Sequence, residues 1–480
     1  MTDPNATDPN ANEASASEQI SSALIDQLGP AGWVRADDIA AQLVDFRKVF
    51  TGTALGMARP GSTAEVASVV TICGEHGVAI TTQGGNTGLS GGAIPAGDGP
   101  AVLLSLTRMT SIEQVNVAAS TITAQAGVTI EELQDAAVAV DRLFAPDWGA
   151  RGSATLGGAI ATNAGGINVL RYGNMREQVL GLEVVLPDGR VWDGLRALPK
   201  DNSGFDLKQL FIASEGTIGI VTRAVVRLHP LPAAHRTAFA ALRSLADLDS
   251  LFSLARSHSP GALSAFELIP EAGVAQVVER FDIVRPVAAV ADWYVLLRFS
   301  GSAGVDDALL GVLAEAAGAD VVTDAVVADT PAQEDNLWLL RDELTATRSF
   351  GGFGVKYDLA VPPDRIEAFL QTASDTVAAV LPGSLPYAFG HVGDGNIHFT
   401  VLRPGDDGPL EAAADELREA LDRVVWNFGG TISAEHGLGR ELRDRIVGQK
   451  PDVELDMMRR IKDAFDPDGL LNPGVMLPDA

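Results

Sequence analysis

Short apolar runs alternate with amphipathic segments between residues 57 and 232. The runs Ala101–Leu104 and Ile218–Leu228 favour β-strands, because they are apolar or alternate between apolar and polar positions. Val66–Cys73 instead has the spacing of a helix. Trp293–Phe299 predicts another strand, and the segment after residue 400 is predicted to be largely helical. The pattern as a whole predicts a chain that mixes short strands with helices.

Changes in composition divide the chain. Residues 1–17 are polar and repeat the pentapeptide Thr-Asp-Pro-Asn-Ala, which predicts disorder. Pro230 and Pro232 mark a boundary after a long strand pattern. We therefore predict four segments, namely a disordered tail (1–24), a first domain (25–232), a second domain (233–425) and a C-terminal segment (426–480).

Charge and composition exclude several classes of function. The chain has 480 residues, 46% of them hydrophobic, which is enough to build a large core. Its net charge of −28 argues against binding to nucleic acid or to an anionic membrane. An anionic substrate would therefore need a local cluster of cations.

The chain contains a single cysteine, Cys73, so an internal disulfide or a cysteine-based metal cluster is excluded. In the predicted helix it is expected to be a small buried apolar residue. The sequence shows neither a secretory pattern nor an apolar run long enough to cross a bilayer. We therefore expect a cytoplasmic protein without a transmembrane segment.

A glycine-dense loop, Gln83–Gly92, follows the β-like segment Gly77–Thr82. Half of its ten residues are glycine, which lets backbone N–H groups approach a ligand closely. Such N–H groups can form a concave site for phosphate. A tight surface loop would have the same composition, so the loop alone leaves both interpretations open.

Two further glycine-rich blocks, Pro146–Gly166 and Lys208–Gly219, lie in the same predicted domain. The sequence has neither a Gly-x-Gly-x-x-Gly fingerprint nor a Gly-Lys dipeptide, so a Rossmann or Walker site is unsupported. Three glycine blocks without a nucleotide fingerprint favour a large cofactor that is held mainly by backbone.

The three blocks resemble the FAD-binding domain of the vanillyl-alcohol-oxidase type, also called PCMH-type. Within that superfamily, Lys200–Leu210, Asn163–Gly166 and Arg171–Gly173 resemble the D-2-hydroxyglutarate, D-lactate and glycolate dehydrogenases. The likeness extends from about Arg59 to Pro473. It implies a PCMH-type FAD-binding domain of two α+β subdomains, an α+β substrate (cap) domain, and a helical C-terminal segment that returns to the FAD domain.

The resemblance implies FAD as the cofactor. Some family members attach FAD to a histidine in the first glycine loop, but this chain has Asn86 and Thr87 there, so noncovalent FAD is expected. The implied cofactor-binding residues are Gly84, Gly85, Asn86, Thr87, Gly88, Ser90, Gly91, Pro146, Asp147, Gly152, Ser153, Gly157, Gly158, Thr162, Asn163, Gly165, Gly166, Glu215, Gly216, Ile220 and Asn472.

His391 and His398 flank Asp394-Gly395, a strong hairpin signal. If Asp394 and Gly395 form a two-residue turn, the two histidines oppose each other on adjacent strands. Opposed side chains have Cβ atoms about 4.5–5.5 Å apart, which is close enough for both to bind one metal ion. Two unrelated histidines near a loop are the alternative.

Glu435 and His436 precede a glycine-rich turn and on their own could belong to a solvated loop. With the two histidines, Glu435 completes a set of residues that often binds Zn²⁺. The resemblance assigns His391, His398 and Glu435 to the metal and leaves His436 as the catalytic base. Mn²⁺ and Fe²⁺ remain open, because sites of this kind discriminate metals weakly.

Arg341 and Thr345 are spaced to share a helix face, and Lys356 lies in a β-like segment. Ordinary surface ion pairs would explain each charge equally well. In the family, the matching residues bind the substrate carboxylate, so the resemblance implies that role here. The bidentate guanidinium of Arg341 suits a carboxylate.

The resemblance implies oxidation of a D-2-hydroxy acid to the 2-oxo acid by hydride transfer to flavin N5. D-2-hydroxyglutarate is the preferred substrate, and D-lactate, D-malate and glycolate are the alternatives. The family has Asn for the distal carboxylate where this chain has the shorter Thr400, so we expect a different selectivity for chain length. An O₂-dependent oxidase and a nonredox flavoprotein are rival hypotheses. The electron acceptor (electron-transfer flavoprotein, quinone or a partner subunit) and a homodimer remain open.

Overall fold

A computed structural model describes residues 9–97, 99–198, 200–258, 261–302, 304–347, 354–402 and 410–478. Contacts among the elements divide the chain into two compact units. The first contains residues 1–165, 174–230 and 435–480, and the second contains residues 166–173 and 231–434. Residues 1–8 of the predicted tail lie outside the described residues.

Helices and strands alternate along the chain, as the apolar pattern predicts. The helices are α1 (Pro9–Leu28), α2 (Thr63–Glu75), α3 (Ile130–Val138), α4 (Leu156–Thr162), α5 (Val169–Tyr172), α6 (Met175–Gln178), α7 (Lys208–Phe211), α8 (Leu248–His258), α9 (Glu271–Phe281), α10 (Val305–Gly318), α11 (Pro331–Asp342), α12 (Leu344–Thr347), α13 (Ile366–Val380), α14 (Leu410–Asn427) and α15 (Asp452–Phe465). None of the described helices is long and apolar enough to span a bilayer.

The strands are short, as is usual in small sheets. They are β1 (Trp33–Arg35), β2 (Gly56–Ala58), β3 (Ala79–Gln83), β4 (Ala101–Ser105), β5 (Ile112–Asn116), β6 (Thr121–Gln125), β7 (Arg142–Leu143), β8 (Val179–Val185), β9 (Val191–Gly194), β10 (Ile220–Arg227), β11 (His229–Pro230), β12 (Ala234–Leu242), β13 (Leu263–Pro270), β14 (Trp293–Gly301), β15 (Val322–Val327), β16 (Gly354–Ala360), β17 (Leu385–Phe389) and β18 (Asn396–Leu402).

In the first unit, one sheet has the strand order β1-β2-β4-β3, with β2 and β3 parallel to β4. Its core includes Ile20 and Leu24 of α1, both fully buried, together with Cys73 of α2. The predicted disorder of residues 1–24 is therefore corrected for residues 9–24, which form most of α1. Ile20 and Leu24 pack the C-terminal half of α1 into this core. The residues before them include Ala and Glu, which favour helix, and continue it towards its N-terminus.

The second sheet of the first unit is antiparallel, with the order β5-β6-β10-β8-β9. Strands β8 and β9 form a hairpin at Asp188-Gly189, a dipeptide that favours such turns, with Val185 opposite Val191 and Gly189 at φ +80. A left-handed backbone at this turn favours glycine. Apolar residues of β6, β8 and β10 pack on α3 and α4 to form a separate core.

The second unit contains the sheets β13-β14-β12-β15 and β16-β18-β17. In the smaller sheet, alternate residues such as Leu359 and Phe399 pack into an apolar core with α13 and α14. Because side chains alternate along a strand, Asp358, His398 and Thr400 lie on the opposite face.

The boundaries of the units differ from the predicted ones in two places. Residues 426–434 remain in the second unit, since Thr431 N–H donates to Ala360 O and Ala434 N–H donates to Asp358 O beside β16. Residues 166–173 also join this unit, where α5 lies against β13. Backbone pairing decides the first placement and packing of α5 against β13 decides the second, and apolar patterning reports neither.

Candidate active site

The glycine loop of the first unit is fixed by side-chain bonds to distant backbone. Gln83 Nε2 donates to Gln42 O and to Ala93 O, both at 3.0 Å. Asn86, at φ +52, donates through Nδ2 to Val44 O at 3.0 Å. These bonds to distant backbone therefore hold the loop in one shape.

Two glycine-rich segments approach each other so closely that side chains cannot fit between them. A Cβ on Gly84 would lie 2.2 Å from Thr155 Oγ1, and one on Gly85 would lie 1.8 Å from Ser153 O. A Cβ on Gly88, in contrast, would meet nothing within 4 Å. Glycine is thus needed for packing at the start of the loop, while its middle leaves open space for a ligand.

A pocket opens at these segments within the first unit. It is lined by Thr82, Gly84, Leu106, Thr155, Gly157, Gly158, Ala161, Phe211, Ser214, Glu215, Gly216, Gly219, Ile220 and Val221. The Thr82 Oγ1 atom is buried and has no hydrogen-bond partner among the described residues. Buried polar atoms are usually satisfied, so this hydroxyl fits a polar ligand in the pocket.

Glu215 lies in this pocket with a left-handed backbone at φ +50. Its two carboxylate oxygens accept hydrogen bonds from Leu438 N–H at 2.8 Å and Gly439 N–H at 2.9 Å. Burial raises the pKa of Glu215 to about 7, although these two bonds oppose the shift. Asn472 Nδ2 donates to Glu215 O and to Gly92 O. Glu215 therefore joins the pocket to the turn that follows His436.

The structure places the other predicted cofactor residues in varied surroundings. Asp147 pairs with Arg151 at 2.9 Å. Thr162 Oγ1 donates to Gly158 O, and Asn163 Oδ1 accepts from Arg176 N–H. Ser90 Oγ donates to the His436 and Gly437 carbonyls. The rest are located as follows: Thr87 and Gly91 in the first loop, Pro146, Gly152, Ser153 and Gly165 in the second block, and Gly166 in the second unit.

In the second unit, the rings of His391 and His398 meet. Their centroids are 5.7 Å apart at 73°, and each ring offers a nitrogen within 4.8 Å of the other. The predicted register is nevertheless wrong, because Phe389 and not His391 opposes His398. His391 lies in a wider loop in which its carbonyl accepts from the N–H groups of Asp394 and Asn396. Gly390, at φ +143, bends the chain out of β17.

A buried cluster of Glu267, Arg341 and His391 lies behind this pair. Glu267 is 1% exposed, and Arg341 and His391 are each 7% exposed. Arg341 Nε donates to Glu267 Oε2 at 2.7 Å, and His391 Nδ1 lies 2.8 Å from Glu267 Oε1. Burial raises the pKa of Glu267, but His391 and Arg341 outweigh burial and bring it to about 2. Glu267 is therefore an ionised carboxylate inside the unit.

The polar face of the small sheet continues this cluster. His398 Nδ1 lies 3.9 Å from Asp358 Oδ1, and Asn396 Nδ2 donates to the same carboxylate oxygen at 2.8 Å. Lys356 opposes Thr400 in the ladder. Thr400 is fully buried, and its Oγ1 atom has no hydrogen-bond partner among the described residues. This face thus combines Lys356, Asp358 and His398 with the unsatisfied hydroxyl of Thr400.

Thr345 does not share a helix with Arg341, so that prediction is corrected. Helix α11 ends at Asp342, and a second short helix, α12, begins at Leu344. Leu344 is fully buried in the core against α9, which leaves Thr345 exposed. Packing of an apolar residue therefore interrupts the helical spacing on which the prediction relied.

Glu435 is the first residue after the second unit, and with His436 it belongs to the first. His436 Nε2 lies 3.5 Å from Glu435 Oε1, and both side chains are partly exposed. Each of these residues therefore has a polar group that solvent or a ligand can reach.

Two family models match the chain. The model described as "FAD binding domain" matches residues 54–194, and "FAD linked oxidases, C-terminal domain" matches residues 231–476. The mitochondrial D-2-hydroxyglutarate dehydrogenase of Danio rerio is 35% identical to this chain, over 92% of this chain and 82% of its own. The D-2-hydroxyglutarate dehydrogenase of Xanthomonas citri pv. viticola is 36% identical, with 90% of each chain covered. The chain belongs to the FAD-dependent D-2-hydroxyglutarate and D-lactate dehydrogenase family.

This family membership confirms the predicted resemblance. As a D-2-hydroxyglutarate and D-lactate dehydrogenase family member, the protein is an FAD-dependent oxidoreductase that acts on a CH–OH group of a D-2-hydroxy acid. Among solved structures, p-cresol methylhydroxylase with substrate bound has a TM-score of 0.74 at 18% identity, with 97% of each chain covered. The predicted PCMH-type α+β fold is therefore confirmed.

Sequence reasoning missed two features of this family member. Thr82 directly precedes the glycine loop, but a lone threonine gives no signal. Glu267 did have a detectable signal in the sequence, since it is an acid inside the apolar run Leu263–Pro270. A charge in such a run is rarely buried unless it is paired, so it predicts a buried partner.

We expect FAD to be bound without a covalent bond, because the 83–92 loop contains no histidine. Acid precipitation of the purified protein should release all of the flavin into the supernatant, where its absorbance is measured. The unprecipitated protein, at the same concentration, gives the total. Flavin that stays with the pellet would contradict the prediction.

Proposed function

We propose that this protein oxidises D-2-hydroxyglutarate to the 2-oxo acid, with noncovalent FAD and a divalent metal ion, Zn²⁺ foremost. The observation that supports the proposal best is the buried face of the second unit, where two imidazoles meet beside an arginine and an ionised glutamate. In an enzyme that acts on a hydroxy acid, these groups suit the hydroxyl and the carboxylate of one substrate.

His391, His398 and Glu435 are the residues that would hold the metal. The two imidazoles are near each other within one unit. Glu435 would add the carboxylate that completes a set of two imidazoles and one acid. A metal held by two histidines and a carboxylate supplies Lewis acidity, which lowers the pKa of a substrate hydroxyl.

Arg341 and Lys356 bind the carboxylate of the substrate in this proposal. Arg341 already uses Nε for Glu267, and its Nη2 group lies against His391 Nε2 in this structure. A substrate carboxylate would accept from the Nη edge once Nη2 turns away from His391. Lys356 lies on the same sheet face as His398, two residues before Asp358. Thr345, exposed on α12, would reach the carboxylate from the adjoining helix.

His436 takes the hydroxyl proton on its imidazole, the side chain that most often acts as a general base. Its neighbour Glu435 stabilises the resulting imidazolium, since the two side chains lie 3.5 Å apart. The chemistry that FAD supplies when bound is acceptance of the Cα hydride at N5. The two carboxylate-binding cations hold Cα in one orientation, which is what such a transfer requires.

Anaerobic mixing of the FAD-loaded protein with D- and L-2-hydroxy acids tests the proposal. We expect D-2-hydroxyglutarate to abolish the visible flavin absorbance fastest, and D-lactate, D-malate and glycolate to act more slowly. The L-enantiomers should leave the absorbance unchanged and serve as matched controls. A flavin that no D-2-hydroxy acid reduces would favour a nonredox flavoprotein, and rapid O₂ consumption in air would favour an oxidase.

A further inference from the structure

Glu267 is bonded to two residues that have different roles in the proposed substrate site. One carboxylate oxygen is bonded to His391, which we assign to the metal, and the other to Arg341, which we assign to the substrate carboxylate. Both distances are below 3 Å, and Glu267 is 1% exposed. The charge is too deeply buried to belong to a surface ion pair.

The hydrogen bonds determine which proton His391 carries. Arg341 Nη2 lies 3.0 Å from His391 Nε2, and a guanidinium can only donate. Nε2 therefore accepts from Arg341, so the proton is on Nδ1 and is donated to Glu267 Oε1. The one lone pair of this ring that could bind a metal is the lone pair that accepts from Arg341.

Arg341 and a metal ion therefore compete for the same atom. Because Arg341 Nε is separately bonded to Glu267 Oε2, the guanidinium can release Nε2 of His391 without losing its buried ion pair. The freed Nη2 group then needs a new acceptor, since a buried charged donor left without one costs free energy. A carboxylate of the substrate is the natural acceptor.

We propose that Glu267 is a positioning residue that couples metal binding at His391 to binding of the substrate carboxylate by Arg341. This inference rests on the proposed function for the identity of the acid. The metal and the acid each strengthen binding of the other. The metal displaces Arg341 from His391, and the carboxylate of the acid holds the displaced guanidinium away from that ring. By linkage, the two effects must be equal in size.

Two variants separate the support that Glu267 gives to metal binding from the competition of Arg341 with the metal. Glu267→Gln removes the charge that orients both partners, and loss of such a supporting carboxylate typically weakens metal binding by about 10–100-fold. Arg341→Lys keeps a cation for Glu267 but lacks the second arm that reaches His391. It should therefore bind metal about tenfold more tightly than wild type, the factor expected for one charged hydrogen bond.

The measurement is equilibrium dialysis of FAD-loaded, metal-stripped protein against Zn²⁺, with and without the product 2-oxoglutarate. Glu271→Gln is the matched control, because Glu271 is also paired with an arginine, Arg285, but belongs to a separate cluster with Tyr294. We expect 2-oxoglutarate to tighten Zn²⁺ binding to wild type and to Glu271→Gln, and to have little effect on Arg341→Lys.

The inference is overturned if Glu267→Gln binds Zn²⁺ as wild type does, if Arg341→Lys binds it no more tightly, or if wild type binds none. A misfolded variant would lose affinity, so a gain in Arg341→Lys decides the matter even if Glu267→Gln fails to fold. Failure of the proposed function looks different, since the Zn²⁺ affinities would then behave as stated while no D-2-hydroxy acid reduces the flavin.

Discussion

Replacement of His436 by alanine should slow flavin reduction by about 10²–10⁴-fold, the usual contribution of a general base. The protein should still bind FAD, metal and substrate, because His436 is assigned to the proton and not to the metal. Stopped-flow reduction of the flavin by D-2-hydroxyglutarate measures the rate. Elemental analysis of the same sample gives its metal content, which shows whether His436 is a metal ligand.

His398→Ala should behave differently, because its ring meets His391 in the proposed metal site. We expect this variant to lose bound metal and, with it, most of its activity. His258→Ala is a suitable control, since His258 also adjoins a glutamate, with Nε2 2.7 Å from Glu315 Oε2, but it lies at the end of α8 outside the cluster. If His436→Ala arrives without metal and His398→Ala arrives fully loaded, the two roles must be exchanged.

Removal of the metal by chelation should reduce turnover by at least about 10²-fold, because Lewis acid stabilisation is worth several kcal/mol. FAD should remain bound, since the described residues that line the pocket proposed for it all belong to the first unit. The melting temperature should change little, because the core of the second unit consists of apolar residues. Turnover, flavin absorbance and thermal unfolding of the stripped protein check the three expectations.

Addition of Zn²⁺ to the stripped protein should restore turnover. A chelator that is saturated with Zn²⁺ before use controls for direct effects of the chelator. If the stripped protein keeps full activity, the metal assignment of His391, His398 and Glu435 is wrong. A large fall in the melting temperature would instead indicate a structural metal.

The glycine blocks could be interpreted from sequence because the residue type itself records the constraint. A Cβ on Gly84 or Gly85 would collide with the segment Ser153–Thr155, so these positions admit only glycine, and the residue type itself reports the close approach. The hairpin at Asp188-Gly189 was predictable for the same reason, since one residue there adopts a left-handed backbone.

The geometry around His391 could not be predicted in the same way. The signal at Asp394-Gly395 favours a two-residue turn, yet the loop is wider and Phe389 takes the position opposite His398. Leu268, on another strand, forms a bridge with Gly390 and draws the chain out of register. The local turn pattern contains no information about a partner that is distant in sequence, so it could not predict the register.

The sequence by itself identified the family, the FAD cofactor and the α+β class through the resemblance of its motifs, and several strands through their short-range spacing. Only the tertiary structure decided that Arg341 leaves Thr345 on another helix, that residues 9–24 are helical, and that Glu267 joins Arg341 to His391. Each of these depends on which distant side chains share a buried space. Burial sets the strength of a charge pair, and the order of residues along the chain does not record it.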